Sequence, residues 1–192
     1  YYSRQINKRM KVRIYILILL IMIFFKNNTI ANYKSSFYDL KINDVSGDQL
    51  SLKDFKNKVI LLVNTASYCG FTKQYNDLQF IWEKYKNNDF IVLAAPSNSF
   101  NQEKKSNDEV KKFCEFNFNI TFPITEIIEV KGDNAHPIYK WASENYGPSA
   151  KPKWNFHKIL INKEGKIEDT YSSLTNPASK KITSKIEKLI NN

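Results

Sequence analysis

Two cysteines in 192 residues, Cys69 and Cys114, are not spaced as Cys-x-x-Cys, which disfavours a thioredoxin-type disulfide reductase. Arginine is absent after Arg13, so the rest of the chain has no guanidinium to fork onto a carboxylate. No Gly-rich phosphate loop or dinucleotide-binding fingerprint occurs. His136 and His157 stand apart with no clustered carboxylates, a pattern of structural histidines rather than metal ligands, and no metal or cofactor is expected. There is no internal repeat and no Pro- or Gly-rich linker, and the length suits one domain with a proper core. The longest apolar run, Ile14 to Phe25, falls well short of the roughly 20 residues that cross a bilayer as a helix.

Acidic residues are absent from residues 1–35, which hold Arg4, Lys8, Arg9, Lys11, Arg13, Lys26 and Lys34. The remaining 22 cations face 19 acids, so the net charge of +10 belongs largely to the N-terminal segment. A nucleic-acid surface needs a basic face on the folded part, and the charge balance argues against one. The segment's own pattern is a positive flank, Met10-Lys11-Val12-Arg13, then the apolar run, then small residues up to Ala31. That pattern predicts a secretory signal with cleavage near Ala31, the alternative being a short uncleaved anchor. Residues 1–35 are therefore assigned to targeting and 36–192 to the fold.

Within 36–192, Phe37–Ile42 and Gln49–Leu52 flank a turn-rich stretch and predict a β-hairpin. Lys58-Val59-Ile60-Leu61-Leu62-Val63-Asn64 is a short continuous apolar run, as a buried central strand should be. Residues 74–85 repeat Tyr75, Leu78, Ile81, Trp82 and Tyr85 at helical spacing. Residues 89–96 predict a second buried strand stopped by Pro96, and Ser106-Asn107-Asp108-Glu109 opens a helix with a capping-box pattern. A further helix is expected over 135–145, a hairpin over 155–171 turned at Lys163-Glu164-Gly165, and a last amphipathic helix over 177–190. Strands interleaved with helices give an α/β fold, a mixed central sheet with helices on both faces and an N-terminal β-hairpin. Its order of elements is thioredoxin-like.

The strand over 58–64 leads into Thr65-Ala66-Ser67-Tyr68-Cys69-Gly70-Phe71-Thr72, placing Cys69 where a helix is expected to start. A thiol attacks as its thiolate, and the free N–H groups of a helix start stabilise that anion. A cysteine read by position alone could equally be a small buried hydrophobe.

Asn64-Thr65-Ala66-Ser67-Tyr68-Cys69-Gly70-Phe71-Thr72 and Trp154-Asn155-Phe156-His157-Lys158-Ile159-Leu160 closely resemble the two signatures of the glutathione peroxidase family. Ala95-Pro96-Ser97-Asn98-Ser99-Phe100-Asn101-Gln102-Glu103 and Gly132-Asp133-Asn134-Ala135-His136-Pro137 resemble two further family segments, in the right order. The resemblance runs from about Phe37 to the C-terminus. It implies a catalytic tetrad at Cys69, Gln102, Trp154 and Asn155. Amide and indole N–H groups are neutral donors, suited to stabilising the oxygen that leaves when a thiolate attacks a peroxide.

Cys114 matches the resolving position of the family's two-cysteine, thioredoxin-dependent branch. The resemblance implies that oxidised Cys69, a sulfenic acid, condenses with Cys114 to a disulfide that a dithiol then opens. Because Cys114 falls in a predicted helix and a disulfide needs α-carbons within about 7 Å, that helix is expected to unwind locally. The missing arginines argue against glutathione as the main reductant, although Lys104, Lys105 and Lys153 could partly substitute. The short segment between Cys114 and Phe122-Pro123 resembles the monomeric relatives. The expected partners are a hydroperoxide and a thioredoxin-like reductant. Alternatives are a hydroperoxide sensor that oxidises a client protein, and a secreted domain with a structural Cys69–Cys114 disulfide. The signal segment implies entry into the secretory route, with onward import into an organelle such as a plastid reconciling it with thioredoxin recycling; the cytosol and the mitochondrion are the alternatives.

Overall fold

Seven consecutive buried residues make Val59–Thr65 (β3) the spine of the molecule, which a computed structural model describes for Tyr33 and residues 35–192. A strand with no exposed face must be covered on both sides. Phe90–Pro96 (β4) pairs parallel to it, Lys158–Ile161 (β5) pairs antiparallel on its other side, and Ile167–Tyr171 (β6) pairs antiparallel with β5. The sheet order is β4-β3-β5-β6. Although β4 is an edge, it is fully buried, because residues 123–128 run along it: Thr125 N–H donates to Ala94 O and Ile128 N–H to Pro96 O. That cover blunts the open edge.

Alternation along β3 sorts the core into two layers. Val59, Leu61 and Val63 join Tyr75, Leu78 and Ile81 of Gln74–Tyr85 (α1), Val110 and Cys114 of Asn107–Phe118 (α2), and Ile182 and Ile186 of Lys180–Ile190 (α4). Ile60 and Leu62 join Ile138, Trp141 and Ala142 of Pro137–Tyr146 (α3) on the other face. Each such fully buried aliphatic side chain contributes on the order of 1.5–3 kcal/mol. Helices thus cover both faces of the mixed sheet, and the arrangement is the thioredoxin-like one expected.

The capping pattern at α2 is realised with one substitution of partners. Ser106 Oγ accepts the Glu109 N–H (3.3 Å), while the Glu109 carboxylate accepts from Lys105 N–H (3.2 Å). The helix ends at Asn119 in the left-handed region (φ 50°), and Ile120 N–H returns to Cys114 O.

The N-terminal hairpin is smaller than expected: Ile42–Asn43 (β1) pairs with Gln49–Leu50 (β2), and Phe37–Asp39 is a 3₁₀ turn. Phe37 and Tyr38 are adjacent and both buried, which an alternating strand cannot achieve but a capped turn can. The last helix starts three residues late, after an Asn176 turn in which Oδ1 accepts the Ala178 N–H. Residues 32–192 form one compact unit. Its N-terminal edge lies earlier than residue 36, because Tyr33 packs 5.6 Å from Trp141 and Ser35 O accepts the Trp141 indole N–H. Apart from Tyr33 and Ser35, the signal-type segment lies outside the described residues.

Gly165 turns the β5–β6 hairpin at φ +73°, and a Cβ there would stand 2.7 Å from Tyr38 Cε2. Both the backbone and the space demand glycine. Gly165→Ala is expected to lower stability by about 2 kcal/mol in urea unfolding, with exposed Lys166→Ala within about 0.5 kcal/mol of wild type.

Candidate active site

Residues 66–73 form a series of turns between β3 and α1. The helix begins at Gln74, five residues beyond Cys69, so the expectation that Cys69 stands at the helix start is corrected. Thr72 organises the turn instead. Its Oγ1 accepts the Cys69 N–H (3.1 Å) and lies 2.9 and 2.7 Å from the carbonyls of Ala66 and Cys69. The group offered to the sulfur is a turn amide: Phe71 N–H donates to Cys69 Sγ at 3.4 Å. Cys69 is a free thiol, 7% exposed.

The loop after β4 brings Gln102 to this turn, where Tyr68 N–H donates to Gln102 O (2.9 Å). Asn155 arrives from the entry to β5, and its Nδ2 donates to Gln102 Oε1 (2.9 Å). Asn155 is fully buried, and its Oδ1 has no partner. Trp154 is 42% exposed, with its ring 5.2 Å from Phe100 of the Gln102 loop. The structure therefore brings Gln102 and Asn155 into direct contact, joins Gln102 to the residue preceding Cys69, and packs Trp154 against the same loop.

Cys114 is placed differently. It is a free thiol with no exposure, in α2 among Tyr75, Val110 and the sheet. Burial pushes its thiol up to about 12, an effect reinforced by Glu103 and Glu115 and opposed by the Tyr75 hydroxyl. At rest it is a core side chain.

Three buried polar residues had no role assigned from the sequence. Asn64 is the one amide in the apolar run of β3. Its Nδ2 donates to Trp154 O (3.1 Å), its Oδ1 accepts the His157 N–H (3.0 Å), and its carbonyl accepts the Phe156 N–H (2.6 Å). Glu103 Oε1 accepts the N–H groups of Ser67 and Lys104, tying the end of β3 to the Gln102 loop, and burial holds this carboxyl above its usual range. The third, Lys158, lies in β5 just beyond the Trp154–Asn155 turn and donates to Gln74 Oε1 and Phe156 O. The signal for Asn64 and Lys158 was a polar residue in a mostly apolar strand, whereas Glu103 lies in a polar loop and carried no such signal. Among the described residues no group of three or more His, Cys, Asp or Glu side chains is placed to hold a metal. His136 caps α3, its Nδ1 accepting the Ile138 N–H.

A family model described as glutathione peroxidase matches residues 37–143. The chain is 42% identical over 146 residues to the glutathione peroxidase-like peroxiredoxin of Schizosaccharomyces pombe, covering 74% of this chain and 92% of that protein. It is 38% identical over 169 residues to a hydroperoxy fatty acid reductase of Synechocystis, covering 83% of this chain and 99% of that protein. Among solved structures, apo Trgpx superposes with a TM-score of 0.66 at 38% identity, covering 82% of this chain and 97% of that one.

His157, beside the Trp154–Asn155 turn, is held down to about 4 by burial and then by Lys158 and Lys153. A group that resists protonation when folded contributes stability fully present above its unfolded value near 6.5 and lost as pH falls toward 4. Between those limits the fold is expected to lose up to about 3 kcal/mol, measured by urea unfolding at each pH. His157→Phe should flatten that part of the profile.

Proposed function

The chain belongs to the glutathione peroxidase family, and from that premise we propose a two-cysteine thiol peroxidase that reduces hydrogen peroxide and organic and lipid hydroperoxides at Cys69, resolves through Cys114 and is reduced by a thioredoxin-like dithiol. The observation that carries the site assignment is the Asn155–Gln102 hydrogen bond, tied through Gln102 O to the turn that presents Cys69. It supports a cluster of neutral donors beside a nucleophilic sulfur.

The Cys69 thiolate attacks one peroxide oxygen, the O–O bond breaks, and the alkoxide takes a proton to leave as alcohol. Cys69 becomes a sulfenic acid. The amide N–H groups of Gln102 and Asn155 and the indole N–H of Trp154 stabilise the leaving oxygen as charge develops on it. Being neutral, they do this without locking the thiolate in an ion pair. The Cys114 thiol then displaces hydroxyl from the sulfenic sulfur, forming a disulfide and water. A dithiol opens it by exchange and is itself oxidised.

Resolution requires Cys114 to leave the core. Its place near the C-terminal end of α2 suits local unwinding, since Asn119 and Ile120 close only the last turn. The Lys104 ammonium lies 4.3 Å from the Tyr68 ring centroid and 5.3 Å from that of Phe113, joining the residues that adjoin the two cysteines. Lacking arginine, the folded unit would grip glutathione's carboxylates only through lysine. The protein acts as a monomer in this reading, and its N-terminal segment directs it into the secretory route; an epitope tag at the C-terminus locates the product.

The decisive assay is hydroperoxide consumption with thioredoxin and its reductase, run beside glutathione and its reductase. Thioredoxin is expected to support turnover and glutathione to give little. Cys69→Ser should abolish consumption, whereas Cys114→Ser should consume one equivalent and stop. If neither donor supports turnover while Cys69 still reacts once, the protein is a sensor for a client. Lys104→Ala should speed disulfide formation about fivefold, because two exposed cation–π contacts contribute on the order of 1 kcal/mol to the closed state; stopped-flow after a peroxide pulse reads this directly.

A further inference from the structure

Lys158 is fully buried in β5, opposite Val63 on one side and Tyr171 on the other. Among the described residues no carboxylate lies within ion-pair distance of it. Its Nζ donates to two neutral oxygens, Gln74 Oε1 at 2.7 Å and Phe156 O at 2.8 Å. A neutral amine has two N–H groups, which these acceptors match; the third N–H of an ammonium has no partner here. Burial brings the amine down to about 7, with Asp77 opposing the shift at longer range.

The two acceptors sit at informative places. Gln74 is the first residue of α1, and its Nε2 donates to Ser173 O (2.7 Å). Phe156 stands at φ +62°, a left-handed conformation uncommon for a bulky side chain, so its turn persists only if the surroundings hold it. Asn64 takes the Trp154 carbonyl and the N–H groups of Phe156 and His157. The Phe156 carbonyl is taken by Lys158.

We infer that Lys158 is a positioning residue for the peroxidase reaction, clamping the Phe156 carbonyl to the start of α1 and so fixing the Asn155 amide against Gln102. The inference rests on the proposed catalytic role of Asn155. It explains why β5 carries a lysine in a fully buried strand: only a long side chain with terminal donors spans from the strand to both oxygens. An apolar residue would satisfy the core and release the turn.

The test uses the full chain and follows Cys69 oxidation by hydrogen peroxide in a single turnover, with the Asn155 side-chain amide observed by NMR. Lys158→Met removes both donors at similar length. It should fold with lower stability than wild type at pH 7, because two buried acceptors, Gln74 Oε1 and the Phe156 carbonyl, lose their donor. Its Asn155 amide resonances should move, and Cys69 oxidation should slow about tenfold or more. Lys158→Gln, with two N–H donors on a shorter arm, should lie between the two and carries the same test if Lys158→Met does not fold. A folded variant with unshifted Asn155 resonances and wild-type oxidation overturns the inference. Asn155→Ala separates the two readings: if it oxidises at the wild-type rate, the catalytic role of Asn155 fails, whereas a slow Asn155→Ala beside a fast Lys158→Met sinks only the role of Lys158.

Discussion

A buried amide in the central strand holds the site together. Asn64 is fully buried at the end of a run of five aliphatic residues in β3, and an unsatisfied amide there would cost on the order of 1–3 kcal/mol per lost partner. Instead it meets the Trp154 carbonyl and the His157 N–H through its side chain, and Phe156 and His157 through its backbone. The turn carrying Trp154 and Asn155 is thereby fastened to the strand that leads to Cys69. Everything else in the site is arranged around that fastening.

Topology explains why the loops meet. β3 and β4 are parallel, so the turn bearing Cys69 and the loop bearing Gln102 leave the sheet at the same end. β5 runs antiparallel to β3, so the segment that enters it, residues 154–157, arrives at that end too. Glu103 then closes the gap between the first two by accepting Ser67 and Lys104 amides with one oxygen. The site is assembled from polar groups whose partners lie in other loops, which makes it rigid without requiring charge at the sulfur.

The two cysteines stand in different environments. Cys69 stands in a turn with an amide aimed at its sulfur, whereas Cys114 is core, on the buried face of α2 beside Tyr75. A thiol held protonated by burial is protected from peroxide while it waits. In the proposed mechanism its release is coupled to movement of the helix end, which carries the left-handed Asn119 cap and lies near the Lys104 contacts to Tyr68 and Phe113. In that mechanism stability of the resting core and speed of resolution oppose one another.

Most of the scaffold was legible in the sequence. The two buried strands, α1 with its helical repeat of Tyr75, Leu78 and Ile81, and the hairpin turned at Gly165 all announce themselves, since short-range patterns of burial and turn chemistry decide them. So were Cys69, Gln102, Trp154 and Asn155 as candidates, because their segments resemble a family's signatures. Phe37–Asp39 defied the strand reading, because packing on Trp141 outweighed any alternation. Cys69's true neighbours were hidden as well: Thr72 and Phe71 organise the turn, and the helix starts beyond them. Asn64 and Lys158 could be seen as polar residues in apolar runs and Glu103 only as one more polar loop residue, yet not what they hold. Their partners lie far along the chain, so only the folding of the sheet brings them within hydrogen-bonding reach. The sequence by itself determined which segments become strands and helices, because burial periodicity is local. Tertiary structure alone decided which buried polar group satisfies which, because a desolvated donor must find its acceptor wherever the fold delivers it.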